Sequence, residues 1–564
     1  MGNISSSEED DVRPAPRPRP RPEPEEPIPD GGLDFHEKPV VAPPPPEERT
    51  DPNIIENLDQ PLDDDKFKMG VTTNYEEFRD TILKKSRDEG KQYVFRDTNF
   101  PAEKESLYFS QRGSSKWKRI TDWKRPYDLT ENPHLLKDGI TSDDIIQGSL
   151  GNCWWLSSVA AISRKPKYMH RVVPTNQAMT GDDYVGMFHF RFWRFGSWVE
   201  VIVDDRLPVI QNRLAFGRSS SRDEFWLSLL EKAYAKLHGS YEAIEGGFSQ
   251  DGLEDLTGGM AVSFDLGDKT PGHLFRSLVK AFQNNSFACC SIKGSAERED
   301  SRGLVSAHAY TITGATRIPF RGKKVKLVRI RNPWGNDVEW NQAWSDGSYL
   351  WDEVDRVTKD RIGYADKDNG EWWMDFYDFK KYFADCTICT MGPDFDSDGA
   401  ATGDSWFLSK IKGKWIKGYS AGGCRNEVDK YATNPQYYME LREPDDFDST
   451  RDDPANKGKC SIVLGLMQEY RRIGREDGLE NLYIGINIYR LSGKPGRRLP
   501  TNHFRYNRDL VNSGSYIDKR EVSITTELEP GHYVVIPSTF HPDKVSTFLL
   551  RIFTEKRIDL EELH

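Results

Sequence analysis

Residues 187–205, MFHFRFWRFGSWVEVIVDD, alternate apolar and polar side chains on both sides of Phe195-Gly196-Ser197. A short distance on, residues 223–239, DEFWLSLLEKAYAKLHG, repeat Phe225, Leu229, Ala233 and Leu237 every four positions before Gly239. A period of two fits only a half-buried strand and a period near four only a helix, so the chain must mix both in one unit. The first stretch predicts a hairpin and the second a helix closed by glycine. A further helix is expected over GNCWWLSSVAAISRKP, with Asn152 near its N-cap and Pro166 ending it.

These signals place a first mixed unit at 71–249 and a strand-richer unit at 250–393, where LVSAHAYTIT and KVKLVRIRNPW are the clearest strands. A polar linker, DFDSDGAATGD, occupies 394–404. Beyond it, 405–560 holds short alternating strands such as CSIVLGLM, LYIGINIYRL, YVVIP and TFLLRIF, which predict an antiparallel β-sandwich. Residues 1–70 read as a disordered tail, because RPAPRPRPRPEPEEP and APPPPEE supply proline and charge but no apolar period. The tail begins MGNISS, a pattern for myristoylation at Gly2, which leaves reversible membrane contact open. One acyl chain binds weakly, and no cysteine precedes Cys153 to add a second; Arg13, Arg17, Arg19 and Arg21 are opposed by Glu8, Glu9, Asp10 and Asp11.

The net charge of -12, with both signs interspersed, excludes a dedicated nucleic-acid binder. Seven cysteines, an odd number without framework spacing, point to a reducing compartment. With neither a signal peptide nor a long apolar run, a cytoplasmic protein is expected.

Cys153 follows a glycine-bearing loop and opens a helix, where free amides and the dipole favour a thiolate. An acyl-transfer role then requires a base, a group to orient it and oxyanion donors. Among eleven histidines, His308 stands out. A hairpin turn centred on Phe320 sets Asn332 opposite it, and a carboxamide beside an imidazole fixes its tautomer. A bulge would shift that register. The order Cys, His, Asn is the papain-like one, and Gln147, six residues before the cysteine, could donate to an oxyanion. Cys386 and Cys389 have C-x-x-C spacing without a second pair, so zinc is not expected, and Cys153 has no resolving partner for redox work.

QGSLGNCWWLSS, FHFRFWRFGSWVEVIVDDRLP, EFWLSLLEKAYAKLHGSYEA, GLVSAHAYTIT and RIRNPWGNDVEW together resemble the calpains, intracellular calcium-dependent cysteine endopeptidases. GKWIKGYSAGGCRN, NPQY and PGHYVVIPSTFHP resemble their C2-like domain. The resemblance implies an α+β chain: a papain-like two-subdomain protease core, then an antiparallel β-sandwich. It implies Cys153 as nucleophile, His308 as base, Asn332 as orienter, Gln147 in the oxyanion hole, and Trp334 as a residue that moves aside to open the cleft. It also implies calcium as cofactor, at Gly139, Asp144 and Glu224 in the first unit and at Glu339, Asp346, Lys367, Asn369 and Glu371 in the second.

Asn152 stands where calpains usually have aspartate, Trp155 where leucine is usual, and Asn369 where a ligand aspartate is usual, with Asp368 beside it. The stretch Asp394, Asp396, Asp398, Gly399 half-matches an EF-hand but has Ser405 at position twelve, and reads as a solvated linker. EPDDFDSTRDD, 443–453, is a further acidic candidate, for calcium or for an intramolecular contact. The sequence ends at His564 without an EF-hand module, so pairing with the calpain small subunit is not expected. Protein substrates are. The alternative is a silent scaffold that binds membranes or partners, which would normally lack one of the three catalytic residues.

Overall fold

The computed structural model describes residues 54–56, 75–110 and 115–564, except 138, 284–285, 337, 368, 391–406, 447–454, 456, 470–471 and 476–477. Gly2, the acidic linker, Asp368 and most of EPDDFDSTRDD lie outside the described residues. Within the expected tail, Ile54–Glu56 forms a short strand paired in parallel with Gln92–Val94.

The first unit contains helices α1 (Tyr75–Glu89), α2 (Cys153–Ser163) and α3 (Pro166–Val172), the hairpin β1 (Met187–Arg194) and β2 (Ser197–Asp204), then α4 (Trp226–Leu237) and α5 (Ser249–Thr257). The hairpin turns at Phe195-Gly196, both at positive φ (48° and 94°), as the sequence predicts. Helix α2 carries apolar side chains all round, so it has no solvent face to offer and every residue of it is buried. Trp155 stacks on Tyr234 of α4 at 4.8 Å between ring centroids. Pro166 does more than end α2: it sits at the first position of α3, where its missing N–H costs nothing.

The second unit adds β3 (Met260–Asp265), α6 (Leu274–Gln283), β4 (Phe287–Ile292), β5 (His308–Phe320), β6 (Lys323–Arg331), α7 (Arg356–Ile362), β7 (Glu371–Asp375), α8 (Phe376–Tyr382) and β8 (Asp385–Thr390). Its strands form one antiparallel sheet in the order β7-β6-β5-β4-β8-β3. The predicted hairpin β5–β6 exists, but its register is corrected. The turn falls on Arg321-Gly322, both at positive φ (46° and 76°), so Phe320 pairs with Lys323. A bulge between Ile312 and Gly314 then slips the ladder by one residue, and Thr311 pairs with Arg331. His308 itself pairs across to Ile292 of β4. The two units meet where Thr311 Oγ1 of β5 donates to the Ser157 carbonyl of α2 at 2.7 Å.

The last unit has two antiparallel sheets. One runs β9 (Phe407–Trp415), β16 (Ser546–Thr554), β11 (Cys460–Gln468), β14 (Glu521–Leu528). The other runs β13 (Val511–Asn512), β12 (Ile484–Leu491), β15 (Gly531–Thr539), β10 (Tyr437–Leu441), β17 (Asp559–Glu562). Alternate residues of both, including Ile462 and Leu464 from one and Ile486 and Ile488 from the other, share a single apolar core.

Arginines fasten this unit to the first. Buried Arg520 donates to Asp255 at 2.9 Å, to Glu254 at 2.7 Å and to the Asp251 carbonyl at 3.0 Å. Arg551 pairs with Glu521 and donates to the carbonyls of Gly258 and Gly259. Arg472 donates to the carbonyls of Ala243 and Gly246 and lies 4.7 Å over the ring of Trp154, the neighbour of Cys153.

Candidate active site

Cys153 is the first residue of α2, after Asn152 at the N-cap. Asn152 is fully buried, and its Nδ2 donates to Glu231 Oε1 at 2.7 Å, while Gly217 N–H donates to Oε2 at 2.9 Å. Burial raises the Glu231 carboxyl to about 7, against the pull of those two donors. This accounts for asparagine at 152: an aspartate there could not donate to Glu231 unless one of the two carboxyls held a proton.

His308 opens β5, and Asn332 follows β6. Their side chains meet despite the altered register: His308 Nε2 lies 2.9 Å from Asn332 Oδ1. The amide is held in that sense because Nδ2 donates to the Val338 carbonyl and Oδ1 also accepts from Trp334 N–H. Asn332 N–H donates to the Gly370 carbonyl at 2.7 Å. Trp334 packs on the imidazole at 5.0 Å between centroids, which dries the His–Asn bond.

Cys153 and His308, from different units, converge. Cys153 Sγ, a ring nitrogen of His308 and a carboxylate oxygen of Glu297 lie within 4.8 Å of one another. Since Nε2 faces Asn332, Nδ1 is the nitrogen left for proton transfer, and it lies 2.9 Å from Glu297 Oε1. Burial works against charge on His308, but Cys153 and Glu297 outweigh it and hold the imidazole up at about 9. At neutral pH the site therefore carries an imidazolium. Nothing in the GSAERED stretch, polar and without period, singled out Glu297; only the folded chain carries it to the sulfur.

The Gln147 backbone N–H donates to the Pro333 carbonyl at 3.3 Å, tying this loop to the Asn332 turn. Its Nε2 donates to the Leu150 carbonyl at 2.8 Å, which uses one of the amide's two hydrogens and leaves one for an oxyanion.

Residues 95–390 match the profile described as calpain family cysteine protease, and 411–553 match calpain large subunit, domain III. The chain belongs to the calpain family. Calpain-A of Drosophila melanogaster is 41% identical over 501 residues, covering 86% of this chain and 59% of that protein. Calpain-9 of Mus musculus is 42% identical over 476 residues (83% and 66%). Calpain-1 catalytic subunit of Pongo abelii is 42% identical over 479 residues (83% and 66%). This calpain thus spans 59% to 66% of the length of these relatives.

The expected calcium ligands of this calpain fall into two groups. Near Gly139 (φ 92°), Asp144 accepts from Thr141 N–H and Oγ1 and from Ser220 Oγ, and buried Glu224 accepts from Lys137 N–H and Ser219 Oγ. Burial raises the Glu224 carboxyl and the Asp144 charge raises it further, so the pair gains from a cation between them. An all-oxygen set of this kind suits a hard ion. In the second group, Glu339 Oε1 accepts from the N–H groups of Asn369 and Gly370, and Asp346 Oδ2 accepts from Lys367 N–H. Glu371 N–H donates to Asn369 Oδ1 at 3.1 Å. Its carboxylate reaches Arg164 of the first unit at 3.3 Å and Arg329 at 3.6 Å. The Asn369 carbonyl likewise accepts from Arg331 at 2.7 Å. Among the described residues no helix is long and apolar enough to cross a membrane.

Proposed function

We propose that this calpain is a calcium-activated endopeptidase performing limited proteolysis of intracellular proteins through Cys153, His308 and Asn332. The convergence from two units of Cys153 Sγ, within 4.8 Å of a His308 ring nitrogen, and of Asn332 Oδ1, 2.9 Å from His308 Nε2, supports the reading most directly. A silent scaffold would have no use for an imidazole paired on one side and facing a thiol on the other.

In the reaction, the thiolate attacks the scissile carbonyl carbon. The Cys153 backbone N–H and the remaining Gln147 amide hydrogen receive the oxyanion. The imidazolium passes its Nδ1 proton to the departing amine, and the neutral ring then takes a proton from the water that attacks the thioester. Asn332 holds Nε2–H throughout, so the ring keeps one tautomer and one orientation. The Glu297 carboxylate must leave its place beside Nδ1 before a substrate carbonyl can enter.

Bound calcium would supply positive charge to Asp144 and Glu224, with the Gly139 carbonyl, and to Glu339 and Asp346, with the Lys367 carbonyl. The chain's own bonds explain how those carboxylates reach the site. Glu339 accepts from Gly370 N–H, and the Gly370 carbonyl accepts from Asn332 N–H, so two hydrogen bonds link that carboxylate to the orienting residue. Asp144 lies three residues before Gln147. The Glu371 carboxylate, held by two arginines, is left out of this ligand set.

The test is a calcium titration of casein cleavage by wild type and Cys153→Ser. The variant should be inactive with unchanged thermal unfolding, and Asp144→Ala should raise the calcium needed for half-activation. Cleavage by Cys153→Ser, or an Asp144→Ala titration overlaying wild type, would remove the reading.

A further inference from the structure

Cys153 and His308 have a third neighbour that the proposed hydrolysis does not use. A small hairpin between β4 and β5 brings Glu297 to them. Arg298–Glu299 pairs antiparallel with Val305–Ser306, and Ser306 Oγ donates to the carbonyls of Ala296 at 2.8 Å and Arg298 at 3.3 Å, one on each side of Glu297. The chain then turns through Ala307, at positive φ (51°), into His308. Glu297 therefore stands on backbone fastened at both ends, while its side chain stays 36% exposed.

Three ligand atoms of different chemistry meet there. Cys153 Sγ, a His308 ring nitrogen and a Glu297 carboxylate oxygen lie within 4.8 Å of one another. A tetrahedral zinc site, with bonds of about 2.0–2.3 Å, holds its donors about 3.3–3.7 Å apart, so shifts of about 1 Å close the set around an ion. The exposed Glu297 side chain is free to make them. The imidazole is already oriented as a ligand. Nε2 donates to Asn332 Oδ1 at 2.9 Å, which leaves Nδ1 to face the metal, and a hydrogen bond of that kind on the second ring nitrogen is what metal-binding histidines share. Asn332 is held in turn by the Val338 carbonyl and Trp334 N–H. The donor set selects the ion. Calcium takes about six to eight oxygens, whereas one thiolate and one imidazole beside a single carboxylate suit zinc. A fourth position stays open on the exposed side of Glu297, for water.

We propose that Cys153, His308 and Glu297 bind a zinc ion, with Glu297 as the ligand that turns a thiol–imidazole pair into a three-ligand site. The ion takes the place of the proton between Nδ1 and Glu297 Oε1, which passes to solvent. It occupies the sulfur and Nδ1 together, so the zinc-bound protein cannot attack a peptide bond. That consequence rests on the protease reading; the binding itself does not.

The experiment titrates the full-length, calcium-free protein, kept reduced with a phosphine, with zinc against a chromophoric chelator and, in parallel, with cobalt(II). One zinc per chain should bind with a Kd of about 1 μM or tighter, and cobalt should show a thiolate-to-metal charge-transfer band. Cys153→Ser should abolish the band and weaken zinc at least about 100-fold. Glu297→Gln, a change on an exposed side chain, should keep the band and weaken zinc at least about tenfold. No such tight zinc, equal affinity in Cys153→Ser (an adventitious ion only), or full affinity in Glu297→Gln would each overturn the assignment. Zinc should also stop casein cleavage over the same concentrations in saturating calcium, and cleavage that persists with the site filled would overturn it too. If the chain cleaves no casein at all, the protease reading falls while the chelator and cobalt titrations still decide the zinc site.

Discussion

Replacing Glu297 with glutamine should lower the titration midpoint of His308. The Glu297 carboxylate lies 2.9 Å from Nδ1, and glutamine keeps an oxygen there to accept the same hydrogen bond while removing the charge. Two unit charges at that distance attract by about 1.4 kcal/mol in water, equivalent to about one pKa unit. Glu297 is 36% exposed, so screening and side-chain freedom reduce this to about half a unit to one unit. His308 titrates at about 9 because Cys153 and Glu297 together overcome burial; with the Cys153 contribution kept, the midpoint should fall to about 8–8.5. The sign follows from linkage. A histidine raised above its ordinary 6.5 contributes stability that is complete below 6.5 and lost as pH rises through the folded value, so the variant should lose it sooner. The assay is the ¹³C shift of histidine labelled at Cε1, with the His308 signal assigned by its loss in His308→Gln. A midpoint that stays at the wild-type value, or rises, would refute the assignment of Glu297 as a charge acting on the His308 imidazole.

Asn332→Ala should cut kcat strongly but leave residual cleavage, because the nucleophile and oxyanion donors remain; an unchanged rate in a casein assay would show that His308 needs no orienting. Arg520→Ala should destabilise the protein by about 3–5 kcal/mol, since it strands Asp251, Glu254 and Asp255 without their buried cation, and scanning calorimetry should show Tm lower by roughly 6 °C or more. Glu231, raised from 4.5 to about 7 by burial, should make stability fall by about 3 kcal/mol as pH rises through that window. Urea unfolding at the two ends of the window should lose that increment in Glu231→Gln; an identical pH slope in the variant would place the proton elsewhere.

Much of the architecture was open to reading along the chain because it is written in local patterns. The hairpin 187–204, helix α4 and the placement of Cys153 at a helix start depend on periods, turns and caps within a few residues, and these survive folding. The His308–Asn332 pair was legible for a less secure reason. The turn sits on Arg321-Gly322 and the ladder slips at a bulge, so the backbone register differs, yet a ring and an amide are long enough to meet across the offset. Along the chain Pro166 reads only as the end of α2, and it also opens α3.

Glu297 beside the sulfur, Arg164 on Glu371 and Asn152 on Glu231 had no trace in any window of sequence. Each joins residues from segments that pattern alone cannot bring together: Arg164 and Glu371 are 207 positions apart, and Asn152 and Glu231 are 79 apart. Glu297 is only 11 residues from His308, but its position depends on the loop between β4 and β5, which has no period to read. Local energetics chose the helices and strands. Where charges and hydrogen-bonding groups end up was decided by the packing of α2 against β5, because a buried polar group must find its partner in space and has no preference for one nearby in the chain.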